Sequence, residues 1–565
     1  MAFLSFAWRG GRMALATTGA LAFGACASPG GGKIALGPEP VPYADTLPIP
    51  EPRAREAREI PRLVNGAVNG EVARVFRIRS WVGDRREALN VTHLDDVVGS
   101  AWFQHRNGRR RLTPREIERG PTTTTGPDTS GVLTIVAGKA QGISPGFTVR
   151  DARGHRYVFK FDPKGFLHLG SAAGVISNRL FWAAGYNVPE DYVVEFDPRR
   201  IEVGPEARIT TSDGHERPMG PEDVRALLAR VDTLPNGRFL AVASRFVPGV
   251  PKGPFYFRGR RADDPNDHYH HEYRRDLRGL YVVSAWLNHV DMRFANTLDA
   301  FVAQGYLRHY LIDFAATLGS GTIRPHSPRE GMEYNFDFWP TAARIFTAGF
   351  FRMGWEDRPF EVIHPSIGWL PAVSFDPATW KANWPNEAFR AVTPRDGYWG
   401  AKLVGSFTDE QIEAAVAAGK LPSAFAADTL AKILAWRRDR TVAYWYGLVT
   451  PIEQVRVDAA SGEIRFDDLG IRDGAWSAAD VRYAWSLERP DGTRIAGGET
   501  AATGGVRQRL ALPRLEAQAE GSAGGEGASL VLRVRAVRSD AAGRAAVIAL
   551  LRGPDGRLEV RGLVH

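Results

Sequence analysis

Asn288-His289-Val290-Asp291-Met292-Arg293-Phe294-Ala295-Asn296 is followed, after a stretch long enough for one short hairpin, by Leu311-Ile312-Asp313-Phe314-Ala315. These side chains are the ones phosphoryl transfer asks for: a carboxylate beside the attacking hydroxyl, an amide oxygen on one divalent metal, and a second carboxylate on the metal that bridges the phosphates. Asp291, Asn296 and Asp313 have the types and the order to fill those places. A His-x-Asp-x-x-x-x-Asn loop directs its Asp and its Asn into one cleft, and Thr297-Leu298 and Tyr310-Leu311-Ile312 read as two short apolar strands that return Asp313 to Asn296. Any single Asp here could be a helix cap or turn former, and an Asp-Phe pair alone is common. The three in order, with apolar strands between them, carry the reading.

Such a site needs a cation from another part of the chain. Val149 to Phe161 reads as a strand, a turn at Arg153-Gly154 and a second strand that holds Lys160. Taken alone, a lysine flanked by aromatics is a snorkelling edge residue; with the downstream motif it becomes the phosphate-pairing lysine. Gly138-Lys139-Ala140-Gln141-Gly142-Ile143-Ser144-Pro145-Gly146 is a glycine-rich turn whose backbone can approach phosphates at Gly138 and Gly142. Its spacing is not Gly-x-Gly-x-x-Gly, and a plain hairpin loop explains it equally well.

From about Ile135 to Gly319 the chain resembles the atypical, bacterial branch of the protein-kinase-like superfamily, similar in layout to HipA-type and CotH-type kinases and to secretory-pathway kinases. The resemblance implies a bilobal α+β fold. It matches Lys160 to the third-strand lysine, Asp291 to the catalytic-loop aspartate, Asn296 to the metal-binding asparagine and Asp313 to the Asp of Asp-Phe-Gly. Arg293 falls where such enzymes place a basic residue against the transferred phosphate. Phe239 to Gly249, with Val247, resembles the strand and hinge that receive adenine. The implied cofactors are Mg2+ or Mn2+ with ATP as donor. The implied acceptor is a hydroxyl on a protein, a lipid or a carbohydrate.

Two departures stand out. The helix expected from Ala172 to Ala184 contains no acid to pair with Lys160, which leaves Asn178 inside it, or Glu190 or Glu195 on the following strand, as candidates. Ala315 replaces the glycine of Asp-Phe-Gly. Both departures keep open the alternative of a pseudokinase, a binding or scaffold module without transfer.

The single cysteine bears on location. Arg9 and Arg12 precede an apolar, small-residue run from Met13 to Phe23, and Gly24-Ala25-Cys26 closes it in the manner of a lipoprotein signal, with Phe23 where leucine is preferred. The expectation is export, lipidation (palmitate among the acyl groups) at Cys26 and anchoring at the bacterial cell envelope. Ala27 in place of an aspartate points to the outer membrane. A buried free thiol and a cleaved signal without lipid are the alternatives. A periplasmic site would be poor in ATP. With 44% hydrophobic and 24% charged residues the composition is that of a globular protein, and the net charge of +8 is spread along the chain as a solvated arginine-rich surface, with no motif for nucleic acid.

The expected organisation is a signal peptide over 1–26, a Gly/Pro-rich tether over 27–60, a lead-in and small lobe over 61–250, a large lobe over 251–450 and a C-terminal domain over 451–565. Val72 to Ile78 reads as a strand, Pro114 to Arg119, 222–231, 275–290, Thr408 to Gly419 and Ala427 to Tyr446 as helices, and the tryptophan-rich stretch after Asp313 as core. Period-two segments such as Val481 to Leu487 and Leu530 to Val537, with Asp-Gly turns at 491–492 and 555–556, predict an antiparallel β-sandwich. Asp263 to Glu272 gathers acids and histidines without a zinc spacing and reads as a polar insertion.

Overall fold

The computed structural model describes residues 43–56, 86–138, 145–210, 215–321, 323–458, 461–513, 529–538, 543–553 and 557–565. Cys26 and the expected signal peptide, the expected strand Val72 to Ile78, Gly142 and the turn at 555–556 lie outside them.

Helix α1 (Pro114–Arg119) opens on a Thr113 capping box and leads into the small lobe. Three strands whose side chains alternate between buried and half-buried form an antiparallel meander: β1 (Leu133–Gly138), β2 (Gly146–Arg150) and β3 (Arg156–Lys160). Helix α2 (Leu169–Ala184), β4 (Asp191–Phe196), β5 (Ile201–Thr210), β6 (Glu216–Pro218), helix α3 (Pro221–Leu228) and β7 (Phe239–Arg245) complete it. The strand order is β4-β7-β3-β2-β1-β5-β6. Phe147, Phe159, Phe196 and Phe239 fill one face of this sheet. On the other, Val193, Leu240 and Val242 meet Val175 of α2.

Strand β4 is an edge, and its outward carbonyls are all occupied. Arg179 Nη2 donates to Asp191 O at 2.9 Å, Lys420 Nζ to Val193 O at 3.1 Å and Arg238 Nη2 to Glu195 O at 2.9 Å. Cations along an edge deter pairing with another chain.

The large lobe joins β8 (Val250–Pro251), helix α4 (Arg275–Trp286), β9 (Thr297–Phe301) and β10 (Leu307–Leu311) to helices α5 (Phe338–Phe346), α6 (Pro394–Gly405), α7 (Asp409–Ala418) and α8 (Ala424–Gly447). Thr408 and Gln411 form a capping box that opens α7. Trp369, Trp380, Trp399 and Trp445 are buried, as predicted for the tryptophan-rich stretch. Trp339, Ile345, Phe346 and Phe350, on α5 and just beyond it, are exposed instead.

The C-terminal region is a two-layer sandwich. One sheet has the order β11-β12-β15, from β11 (Ile452–Val457), β12 (Ile464–Asp468) and β15 (Arg507–Leu510). The other has the order β14-β13-β16-β17-β18, from β13 (Arg482–Glu488), β14 (Arg494–Ala501), β16 (Ser529–Val537), β17 (Ala546–Arg552) and β18 (Leu558–Val564). Ile464, Phe466 and Leu510 from the first share a core with Tyr483, Leu532 and Ile548 from the second. The fold class is therefore α+β, with a C-terminal antiparallel sandwich as the sequence predicts.

One expectation needs correcting. Residues 43–56, predicted as part of a loose tether, are tied down. Ile49 N donates to Gly305 O at 2.8 Å, Arg55 N to Lys252 O at 2.9 Å, and Asn266 Nδ2 to Leu47 O at 2.7 Å. The segment has no apolar periodicity to announce it, because it is held by backbone hydrogen bonds and by polar and ring contacts such as Ala101 N to Asp45 Oδ1 at 2.9 Å and Tyr43 on His268 at 4.5 Å.

Candidate functional site

Lys160 is the last residue of β3, so it leaves the sheet opposite Phe159, on the face covered by α2. There its Nζ meets Asp313 Oδ1 at 2.7 Å, with 17% and 36% of the two side chains exposed. Asp313 stands at φ +63, a left-handed conformation rare outside glycine. Because that turn is taken by the aspartate itself, Ala315 has no positive φ, and the position needs no glycine. Phe314 points inward, stacked on Phe181 of α2 at 5.1 Å and against His289 at 5.8 Å.

The loop after α4 supplies the other groups. Asn296 Nδ2 donates to Asp291 O at 2.7 Å and to Asp291 Oδ2 at 2.9 Å, and Arg293 Nε pairs with Asp291 Oδ1 at 2.9 Å. Ile312 N donates to Asn296 O at 3.0 Å, which sets Asp313 beside Asn296. Lys160, Asp291 and Asp313 line one cleft with Ser171, Val242 and Ala316.

Other expected residues lie elsewhere. Gly138 ends β1 against Ile209, whose Cγ1 would be 2.9 Å from an added Cβ, and Val247 follows β7 without lining the cleft. None of the three expected partners of Lys160 reaches it. Asn178 donates to Pro189 O at 2.9 Å and accepts from Arg179 Nη1 at 2.7 Å. Glu190 pairs with Arg245 at 2.9 Å, and Glu195 lies 3.9 Å from Arg238. Glu190 leaves the sheet edge toward Thr123 and Tyr192, and Glu195 is at the far end of β4.

Two acids near the cleft were passed over in the sequence. Asp162 is buried and accepts from Gly170 N at 2.8 Å, Ser171 N at 2.7 Å, His168 N at 2.8 Å and Ser171 Oγ at 2.7 Å. It thus caps α2, whose own N-cap His168 makes no side-chain bond to the helix. Asp191 opens β4, buried on the α2 face. A period-two reading of Asp191-Tyr192-Val193-Val194 would have put it on the same face as Val193, the signal that finds it.

The catalytic-type loop is held from below. Arg275 pairs with Asp95 at 2.7 Å and Asp396 at 3.0 Å, and Arg278 pairs with Asp396 at 2.9 Å, all with 0% side-chain exposure. Against the opposing effect of burial, Arg275, His565 and Arg395 hold the Asp95 carboxyl well below its usual range, Arg395 pairing with it at 2.6 Å and the backbone N–H of His565 donating to it at 3.1 Å. Arg437 of α8 closes the C-terminus of α4, donating to Trp286 O at 2.8 Å, Ala285 O at 2.6 Å and Pro371 O at 2.7 Å. Trp380 Nε1 donates to Asn288 Oδ1 at 2.9 Å, and only glycine fits at 331, where φ is +90 and an added Cβ would lie 2.7 Å from that oxygen. Burial pushes the His289 imidazole down to about 4, so this residue is a neutral packing element of the loop.

Side chains of the Asp263 to Glu272 segment pair with one another and with Arg261. His271 Nε2 meets Asp267 Oδ2 at 2.9 Å and Arg261 Nε meets Asp263 Oδ1 at 2.9 Å. Among the described residues no group of three or more His, Cys, Asp or Glu side chains is arranged to hold a metal, and no helix is long and apolar enough to cross a membrane.

No family model matches the chain, and no curated protein matches it. Among solved structures it is similar to the crystal structure of the Golgi casein kinase with Mn/ADP bound, at TM-score 0.30 and 10% identity over 59% of this chain and 73% of that one. A second crystal structure of the Golgi casein kinase matches at TM-score 0.30 and 9% identity, over 72% of this chain and 95% of that one.

Proposed function

We propose that the chain is an atypical kinase that moves a phosphoryl group from a metal-bound nucleotide, ATP in the first instance, to a hydroxyl acceptor. The observation that carries this reading is the meeting of Lys160 and Asp313 at 2.7 Å in the cleft that Asp291 also lines, with Asn296 bonded to Asp291. The residues fit a hard divalent cation. With its amide nitrogen committed to Asp291, Asn296 presents its carbonyl oxygen as an acceptor, and Asp313 adds a carboxylate. Bound Mg2+ would neutralise charge on the phosphates and fix their geometry.

The remaining steps belong to side chains of this chain. Lys160 supplies a positive charge for the phosphates. Asp291, oriented by Asn296 and Arg293, accepts a hydrogen bond from the acceptor hydroxyl and takes its proton as the new oxygen–phosphorus bond forms and the bond to the nucleoside diphosphate breaks. Arg293 lies beside that carboxylate, where charge develops on the moving group. Anchoring at the bacterial envelope through lipidated Cys26 belongs to the same proposal. Mass analysis of the mature N-terminus should find an acylated cysteine, and an unmodified terminus elsewhere refutes the anchor.

Asp291→Asn tests the enzyme. It is nearly isosteric, so Mg-nucleotide affinity should stay unchanged while transfer or autophosphorylation falls by roughly 10² to 10⁴-fold. A wild-type protein that binds several nucleotides but neither transfers nor hydrolyses any of them is a pseudokinase scaffold, and the enzyme reading fails.

A further inference from the structure

The ion pair between Lys160 and Asp313 presents a difficulty for the proposed reaction. Once a divalent cation engages Asp313, the ammonium of Lys160 loses its counter-charge, and a partly buried cation without a partner is costly and poorly positioned. Helix α2 offers nothing in exchange. Its side of the cleft is lined by Gly170 and Ser171, and the helix contains no acid.

The sheet does offer a carboxylate. Strand β7 lies between β3 and β4, with Val242 opposite Lys160 and Ser244 opposite Asp191. The two side chains therefore leave the same face, with β7 between their strands and Asp191 two residues along from Val193, the residue in line with Lys160. Asp191 is 3% exposed and its Oδ1 makes no hydrogen bond. Burial pushes its carboxyl up to about 6, opposed by the hydrogen bond from Ser244 and the charges of Arg179 and Lys160, while Asp313 pushes it further up. A buried carboxylate oxygen without a donor, within the field of both members of the ion pair, is an acceptor held in reserve.

We infer that Asp191 is the second counter-charge of Lys160, the group that takes over the lysine when Asp313 is committed to metal and that keeps its ammonium directed at the phosphates. Asp191 touches no reacting atom and acts through Lys160, so it is a positioning residue. The arrangement gives Lys160 two stations, Asp313 without metal and Asp191 with it. The inference rests on the proposed nucleotide site and adds to it a residue on β4, where the sequence offered Glu190 and Glu195.

Calorimetric titration of the full chain with ADP, with and without Mg2+, tests it. Asp191→Asn should weaken Mg-ADP binding on the order of tenfold, the size of one charge-assisted contact, and leave metal-free ADP binding unchanged because Lys160 then rests on Asp313. In a Lys160→Met background the same change should have no further effect, and Asp191→Glu should restore most of the loss. If Asp191→Asn does not fold, Asp191→Ser carries the same comparison. Equal Mg-ADP affinity in wild type and variant overturns the inference, as does a loss of the same size with and without metal, which marks a structural role. A wild type that binds neither form of ADP overturns the nucleotide site itself, and the inference with it.

Discussion

Helices α4 and α2 flank the same cleft and are made of different materials. Helix α4 follows an N-cap at Arg274 and carries Arg275, Asp276 and Arg278, all four buried and paired, whereas α2 has one arginine, no acid and a row of small residues. The consequence is a difference in what fixes each side of the site. Ion pairs and the carbonyl caps from Arg437 specify the orientation of α4, and with it the loop that carries Asp291 and Asn296. Helix α2 meets the Asp313 loop through Phe181 on Phe314 and through one hydroxyl, Thr317 Oγ1, which bonds Ser177 Oγ at 2.7 Å and Ala173 O at 3.2 Å. Directional contacts preset the Asp291 side; close packing, which constrains orientation less, holds the Lys160 side.

The comparison can be broken most directly at Arg275. Removing one member of a buried ion pair leaves its partners charged and unpaired, so Arg275→Met should cost on the order of 3–5 kcal/mol in urea unfolding. A cost below about 1 kcal/mol would show that the network does not hold α4.

Acid should pull the two sides in opposite directions. His289, pushed down to about 4 by burial, stays neutral in the folded chain while the unfolded chain takes up a proton near its ordinary value. Its contribution is present above about pH 6.5 and is lost as pH falls toward 4, on the order of 3 kcal/mol in all. Asp191, pushed up to about 6 by burial, has the reverse sign. The folded chain takes up that proton first, so stability rises as pH falls from about 6 toward 4, and the cost of the buried charge is present above about 6. Unfolding midpoints measured from pH 7 to 4 should fall less steeply in His289→Phe and more steeply in Asp191→Asn than in wild type. Parallel profiles in all three proteins would contradict both assignments.

The smallest effect should come from the hydroxyl pair. Ser177→Ala removes one side-chain hydrogen bond and should cost about 0.5–1.5 kcal/mol, read in the same unfolding assay. A cost as large as that of Arg275→Met would erase the contrast between the helices.

The sequence displays these two sides unequally. The loop from Asn288 to Asn296 is legible because its residues are contiguous, and the helix ahead of it shows its apolar period. The capping boxes at Thr113 and Thr408 are equally local features of the sequence. Asp191 is another matter, because its proximity to Lys160 exists only after β7, which comes later in the chain, has inserted between β3 and β4. Chain order offers Glu190, Asp191 and Glu195 alike, and only the register with β7 puts Asp191 on the face that Lys160 leaves. In the C-terminal sandwich, β16 and β17 show their alternation, whereas β14 (Arg494–Ala501) is an exposed edge rich in glycine and alanine and has no core-facing pattern to read. The bonds that hold residues 43–56 run through backbone and through distant side chains, which no local pattern encodes.

The most direct measurement is a titration of an adenine nucleotide into wild type and Asp313→Ala, each with and without Mg2+. Mg2+ should tighten binding to wild type and leave Asp313→Ala unaffected, since Asp313 is the carboxylate assigned to the metal and Lys160 remains to meet the phosphates in both. Equal affinities in all four titrations, or a metal effect that survives Asp313→Ala, would contradict the assignment of this cleft as a metal-dependent nucleotide site.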